Sequence, residues 1–177
     1  MPADRSAHAV KLSAVDAALA FSSVAVFRLV STPRNSPDEV RLVPGTDLGV
    51  AIHAAPGNIW PWLQLLGNVL LLWPLGALLP LRVPRFAGLT RIVTAAVATT
   101  CLIELFQFTA VPGRVVSTDD VLLNTAGALL GAVCSRKWWD DFRELARPRW
   151  VLLLAGLLSA PTGRHALKPR YARFHGT

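Results

Sequence analysis

The sequence predicts an all-α fold: a polytopic membrane helix bundle of about four transmembrane helices, followed by a short C-terminal interfacial or re-entrant helix. Three observations predict it. Hydrophobic residues make up 53% of the 177 and charged residues only 16%, against about 25% charged in soluble domains. The mean hydropathy is +0.43. The apolar residues gather into runs close to the roughly 20 residues a bilayer crossing needs, and polar residues recur inside those runs at helical spacing.

The first span runs from about Leu12 to Val30, with Asp16 and Arg28 near enough to its ends to reach the interface. No small-x-small cleavage site precedes Pro33, so it reads as a span rather than a removed signal. The second, about Trp62 to Val83, contains Pro74 and Pro80, which should kink the helix or end it early. The third covers about Gly88 to Val111, and the fourth opens near Ser117 and continues to about Trp139. Cys101 and Cys134 lie inside apolar runs without metal-ligand spacing, and read as small core residues rather than ligands or a disulfide. No metal and no cofactor is implied. The stretch from Trp150 to Ala160, bracketed by Pro148 and Pro161, rises only about 16 Å as helix. It reads as the interfacial or re-entrant element, with a fifth, tilted span as the alternative. A basic tail from Lys168 to Arg173 follows and suits lipid headgroups.

The net charge of +7 does not mark a nucleic-acid binder, because no basic helix, stacking aromatic set or recognition motif accompanies it. It marks topology instead. With a cytoplasmic N-terminus the inside carries Arg5, Lys11, Arg82, Arg85, Arg91, Arg136, Lys137, Arg143, Arg147 and Arg149, whereas the outside carries Arg34, Arg41 and Arg114. Trp60 and Trp62 then mark the outer interface, and Trp138 and Trp139 the inner one.

In this arrangement Asn68, Glu104 and Asn124 each lie about 9 to 11 Å below the outer surface, so three helices present polar groups at one depth. Glu104 and Gln107 share a face of the third span. Asp120, Asn124, Gly127 and Gly131 form one stripe on the fourth, polar at its outer end and Gly-x-x-x-Gly at its inner end. Arg114, in the short loop between these spans, can reach toward Glu104 or Asp120.

These residues carry a family resemblance. Gly67-Asn68, Trp73-Pro74-Leu75-Gly76, Glu104-Leu105-Phe106-Gln107, Gly113-Arg114, Asp119 to Gly127, and Gly131 resemble the VanZ-like family in order and spacing, with Trp73 where the family usually has phenylalanine. The resemblance implies one VanZ-like membrane domain over residues 1–147, its motif-bearing core about 58–134, and a separate stub and tail over 148–177. It implies a bacterial inner-membrane protein of the cell envelope. The founding member is linked to low-level resistance to the glycopeptide teicoplanin, and no reaction is assigned to the family. The family's characteristic polar positions fall here on Asn68, Glu104, Gln107, Arg114, Asp120 and Asn124.

Each candidate has a structural reading beside the functional one. Ser117-x-x-Asp120 resembles a capping box, and Asp119 and Asp120 suit a first helical turn. Gln107 and Asn124 can simply bond between helices, and Gly76, Gly127 and Gly131 read as packing residues. His53 reads as a solvated loop histidine. Glu104 is harder to explain as scaffolding, since a buried carboxyl needs a partner, and a ligand or proton-handling role competes with pairing to Arg114.

Three function classes follow. The leading one is a binding protein whose polar site, including Asp119, holds an amphiphile headgroup such as a lipid-linked cell-wall precursor or a lipoglycopeptide. There Arg114 pairs with phosphate or carboxylate, and Glu104, Asp120 and Asn124 engage amines, hydroxyls or amides. The second is an intramembrane hydrolase or transferase using Glu104 as base and Asp120 as acid, with Cys101 three residues from Glu104 as a weak opening for a nucleophile. The third is a structural or partner-docking protein. A homo-oligomer is compatible with all three.

Overall fold

Runs of Ala, Leu and Val broken by short polar segments become helices in the computed structural model, which describes residues 2–33 and 39–145. The elements are α1 (Pro2–Val30), β1 (Glu39–Arg41), α2 (Thr46–Ile52), α3 (Trp60–Arg82), α4 (Leu89–Ala110), β2 (Val115–Ser117), α5 (Thr118–Ser135) and α6 (Trp139–Leu145). Single 3₁₀ turns over Pro84–Phe86 and Arg136–Trp138 join α3 to α4 and α5 to α6. The sequence expectations for 148–177, the Trp150–Ala160 stub and the basic tail, lie outside the described residues.

Three helices are long and apolar enough to cross a membrane: Ala9–Val30 within α1, then α3 and α4. The expected fourth span forms as a helix but shorter than its predicted extent. α5 stops at Ser135, about 27 Å from its start at 1.5 Å per residue, and its Thr118-Asp119-Asp120 opening lowers its apolar character. The remainder, to Trp139, turns into the start of α6.

α3 and α5 run parallel and form the axis of the bundle. Their backbones touch. A Cβ added to Gly127 would sit 1.8 Å from the carbonyl oxygen of Val69, one on Gly131 would sit 2.0 Å from that of Trp73, and one on Gly76 2.0 Å from that of Ala128. No side chain fits there, so van der Waals contact between main chains replaces side-chain packing, as small residues permit in lipid. α4 packs along α5, and α1 leans on α3. The core between them is Val15, Leu72, Leu81, Ile92, Ala96, Ala128 and Ala132. Thr100, fully buried, returns its hydroxyl to the carbonyl of Ala96 at 2.7 Å, which keeps a polar side chain satisfied within an apolar helix.

Several local expectations are corrected. α3 does not end at Pro74 or Pro80, both of which lie inside it. A helix packed among neighbours in an apolar setting keeps its remaining hydrogen bonds, since no water competes for them. Cys101 and Cys134 are exposed on the apolar surface rather than packed in the core, and neither is in a disulfide. Trp139 is a core residue, not an interface anchor, and its indole N–H donates to Ser135 Oγ at 3.0 Å. The all-α expectation misses β1 and β2, which pair in parallel with Glu39 opposite Val115 and Arg41 opposite Ser117. β-Branched Val40, Val115 and Val116 favour that short ladder.

Gly127→Ala should force α3 and α5 apart and destabilise the protein by about 1 to 3 kcal/mol, as overpacking does. Gly49→Ala, where an added Cβ meets nothing within 4 Å, should leave the melting temperature in detergent unchanged.

Candidate functional site

The polar residues of the spans meet at one end of the bundle, beneath β1, β2 and α2. The short turn after α4 returns the chain as β2, so Ser117 becomes the N-cap of α5 directly above the buried end of α4. There the N–H of Ser117 donates to Glu104 Oε2 at 3.2 Å. Its hydroxyl accepts from the N–H of Asp119 at 3.2 Å and donates to Asp47 Oδ2 at 2.5 Å. One N-cap serine therefore ties α4, α5 and α2 together. The glutamate that accepts its backbone N–H comes from a neighbouring helix rather than from its own.

Asp119 faces the opposite way from the cavity. Its two carboxylate oxygens accept from the N–H groups of Gly45 at 2.6 Å and Asp47 at 2.8 Å. Gly45 has φ of +88°, and this left-handed turn aims both N–H groups at the carboxylate. Thr118 Oγ1 adds a bond to the carbonyl of Leu42 at 3.1 Å. Outside the spans, Arg41 is gripped by Glu39 Oε2 at 2.8 Å and Asp47 Oδ1 at 2.7 Å. The Arg41 hydrogen bond holds the Glu39 carboxyl below its ordinary range, and the bonds from Glu39 and Asp47 push the guanidinium above its own.

Below this cover lies a cavity of about 180 Å³ lined by α1, α3, α4 and α5, with Asn68, Glu104, Gln107, Arg114, Asp120 and Asn124 on its wall. Asn68 Nδ2 donates to Asp120 Oδ1 across the α3–α5 contact. Arg114 Nη2 donates to the carbonyls of Leu29 at 2.8 Å and Val30 at 3.1 Å, and Gln107 Nε2 donates to the same Val30 carbonyl at 3.2 Å. These are terminal carbonyls of α1, so a cation and an amide from elsewhere in the fold cap that helix at its negative end. Asn124 is only 2% exposed, and its Oδ1 has no hydrogen-bond partner among the described residues. Beside the inner cavity, sharing Leu63 and Gln64 with it, is a wider one of about 600 Å³ bordered by Arg41, Asp47, Asn58 and Trp60.

Of the residues singled out from sequence, the structure thus brings Asn68, Glu104, Gln107, Arg114, Asp120 and Asn124 together on one cavity. Asp119 is placed instead in the cover. Gly76, Gly127 and Gly131 lie at the α3–α5 contact. Cys101 is exposed while Glu104 is buried, so the pair does not form a nucleophile and base. Among the described residues no three His, Cys, Asp or Glu side chains cluster as a metal site. His53 is exposed, its Nδ1 2.9 Å from the carbonyl of Gly49. Sequence reasoning missed Arg41, Gly45 and Asp47. The signal available was Gly45-Thr46-Asp47, a turn glycine before a helix-starting pair, within a segment treated as plain loop.

Asp119→Ala should release the 39–52 cover, with faster amide exchange at Gly45 and Asp47 by mass spectrometry. The lost charge-assisted bonds should cost about 1.5 to 3 kcal/mol of stability each at most.

The family model described as VanZ/LLP1 matches residues 14–139 of the chain. No curated protein and no solved structure matches it.

Proposed function

We propose that this chain, which belongs to the VanZ/LLP1 family, is a membrane protein of the bacterial cell envelope that binds an amphiphile headgroup in its inter-helical polar cavity. In this reading α5 is the fourth crossing, and the cation distribution supports a cytoplasmic N-terminus with the β1–α2 cover outside. The observation that carries the reading is the cavity itself: four helices contribute to its wall, and two carboxyl groups, a guanidinium and four amides, Gln64 among them, converge on it within an otherwise apolar bundle. Such groups are expensive in a membrane and are kept where they meet a ligand or a pathway. Exposed Leu42, Val43, Ile59 and Trp60 around the cover suit the headgroup layer, which supports a cavity at the depth where a polar head joins its acyl chains.

The ligand class is an amphiphile with a polar head, as in a lipid-linked wall precursor or a lipoglycopeptide. Sequestering either would alter exposure of the envelope to glycopeptide antibiotics, which is how tolerance would arise without a catalysed step.

In detergent, wild-type protein should gain melting temperature on addition of lipid-linked wall precursor or teicoplanin. A ligand at about 100 times its Kd contributes about 2.7 kcal/mol. Glu104→Gln should keep the ligand-free melting temperature and lose the shift. A ligand-free Glu104→Gln that melts far below wild type, with no shift in either protein, would reduce the cavity to scaffolding.

A further inference from the structure

We infer that the inner cavity takes a primary ammonium group rather than a phosphate or carboxylate. The inference rests on the headgroup-binding reading and names the chemistry of the part that enters. The sequence alone offers Arg114 as an anion partner, but in the structure its Nη2 donates to the carbonyls of Leu29 and Val30, where it caps α1. The Nδ2 donor of Asn68 is committed to Asp120, and the Nε2 donor of Gln107 to Val30. Those three donor atoms, Asn68 Nδ2, Gln107 Nε2 and Arg114 Nη2, are thus directed at the protein itself.

Two acceptors, on Asn124 and Glu104, are not. Asn124 Oδ1 is buried on the cavity wall with no hydrogen-bond partner among the described residues, and an unmet carbonyl at such a site favours a ligand that donates. Glu104 accepts a single described bond, from Ser117 N to its Oε2, which leaves Oε1 as a second acceptor in the same cavity. Two carboxyl groups, Glu104 and Asp120, face one guanidinium, Arg114, so the wall favours a cation. An ammonium group offers three N–H donors and one positive charge, which matches an acceptor-rich, acidic wall. A phosphate would meet carboxylates and an unpartnered carbonyl, and would be repelled. The adjoining wider cavity, sharing Leu63 and Gln64, accommodates the rest of the headgroup.

The ammonium could belong to a lipid headgroup or to a soluble amine, and one set of probes separates them. Melting temperatures of the full-length protein in detergent would be measured with short-chain phosphatidylethanolamine, its N-acetyl derivative, phosphatidylglycerol of the same chain length, and n-butylamine. Phosphatidylethanolamine should stabilise the protein, and the N-acetyl derivative and phosphatidylglycerol should not. Added protection by n-butylamine would assign recognition to the ammonium alone, whereas its failure would assign it to an amine carried by a lipid. Both results support the inference. Asn124→Ala and Glu104→Gln should each weaken phosphatidylethanolamine binding about tenfold or more, the loss expected for a hydrogen bond to a charged group. The ligand-free melting temperature of Asn124→Ala should stay near wild type, because the Oδ1 it removes has no hydrogen-bond partner among the described residues. Equal protection by phosphatidylglycerol or the N-acetyl lipid would overturn the ammonium assignment and leave the headgroup site standing. No protection by any lipid would overturn both. A collapse of stability in Asn124→Ala would identify the amide as internal scaffolding and overturn the inference by a separate route.

Discussion

The main-chain contact between α3 and α5 is the constraint on which the site depends. Where Gly127 meets Val69 and Gly131 meets Trp73, no side chain intervenes, and the two helices lie parallel and close. One turn toward the capped end, the same face of α5 presents Asn124, and the turn before that presents Asp120 to Asn68. The glycines therefore do more than pack. They set the separation at which an amide on one helix can reach a carboxylate on the next, and they leave a small space where the helices carry polar rather than apolar side chains.

Above that space, backbone groups at element ends are satisfied by side chains from other elements. The N-terminus of α2 is met by Asp119 at the start of α5, the N-cap of α5 by Glu104 of α4, and the C-terminus of α1 by Arg114 and Gln107. Helix ends in an apolar environment have no water to turn to, so each must find such a partner. The consequence is that three helix ends are locked by side chains of other elements beside the cavity. A substitution at any one of Asp119, Glu104 or Arg114 is felt at an end it does not belong to.

Much of this was legible in the sequence, and the reason is physical. Membrane helices have fixed rise and narrow length limits, so the depth of Asn68, Glu104 and Asn124 follows from counting residues. The stripe of Asp120, Asn124, Gly127 and Gly131 follows from the 3.6-residue period. What counting does not give is rotation and long-range partners. Arg114 could be placed near Glu104 and Asp120 but not turned toward α1, since that depends on where Leu29 and Val30 end. Asp119 and Asp120 are adjacent in sequence and point to different tasks, one to the cover and one to the cavity, because a helix rotates by about 100° per residue. The β1–α2 segment was invisible because its order comes from Asp119 and β2, more than 70 residues away. The exposed cysteines reverse a soluble-protein habit, in which thiols are core residues, and the buried Trp139 departs from the membrane habit in which a tryptophan at a helix end anchors at the interface.

The most direct test of the central claim, that the polar cavity holds an amphiphile headgroup, is native mass spectrometry of the full-length protein released gently from its own membranes. The account predicts one stoichiometric amphiphile adduct on the wild type that is absent from Glu104→Gln folded to the same melting temperature. Identical spectra for the two proteins, with the adduct on both or on neither, would contradict it.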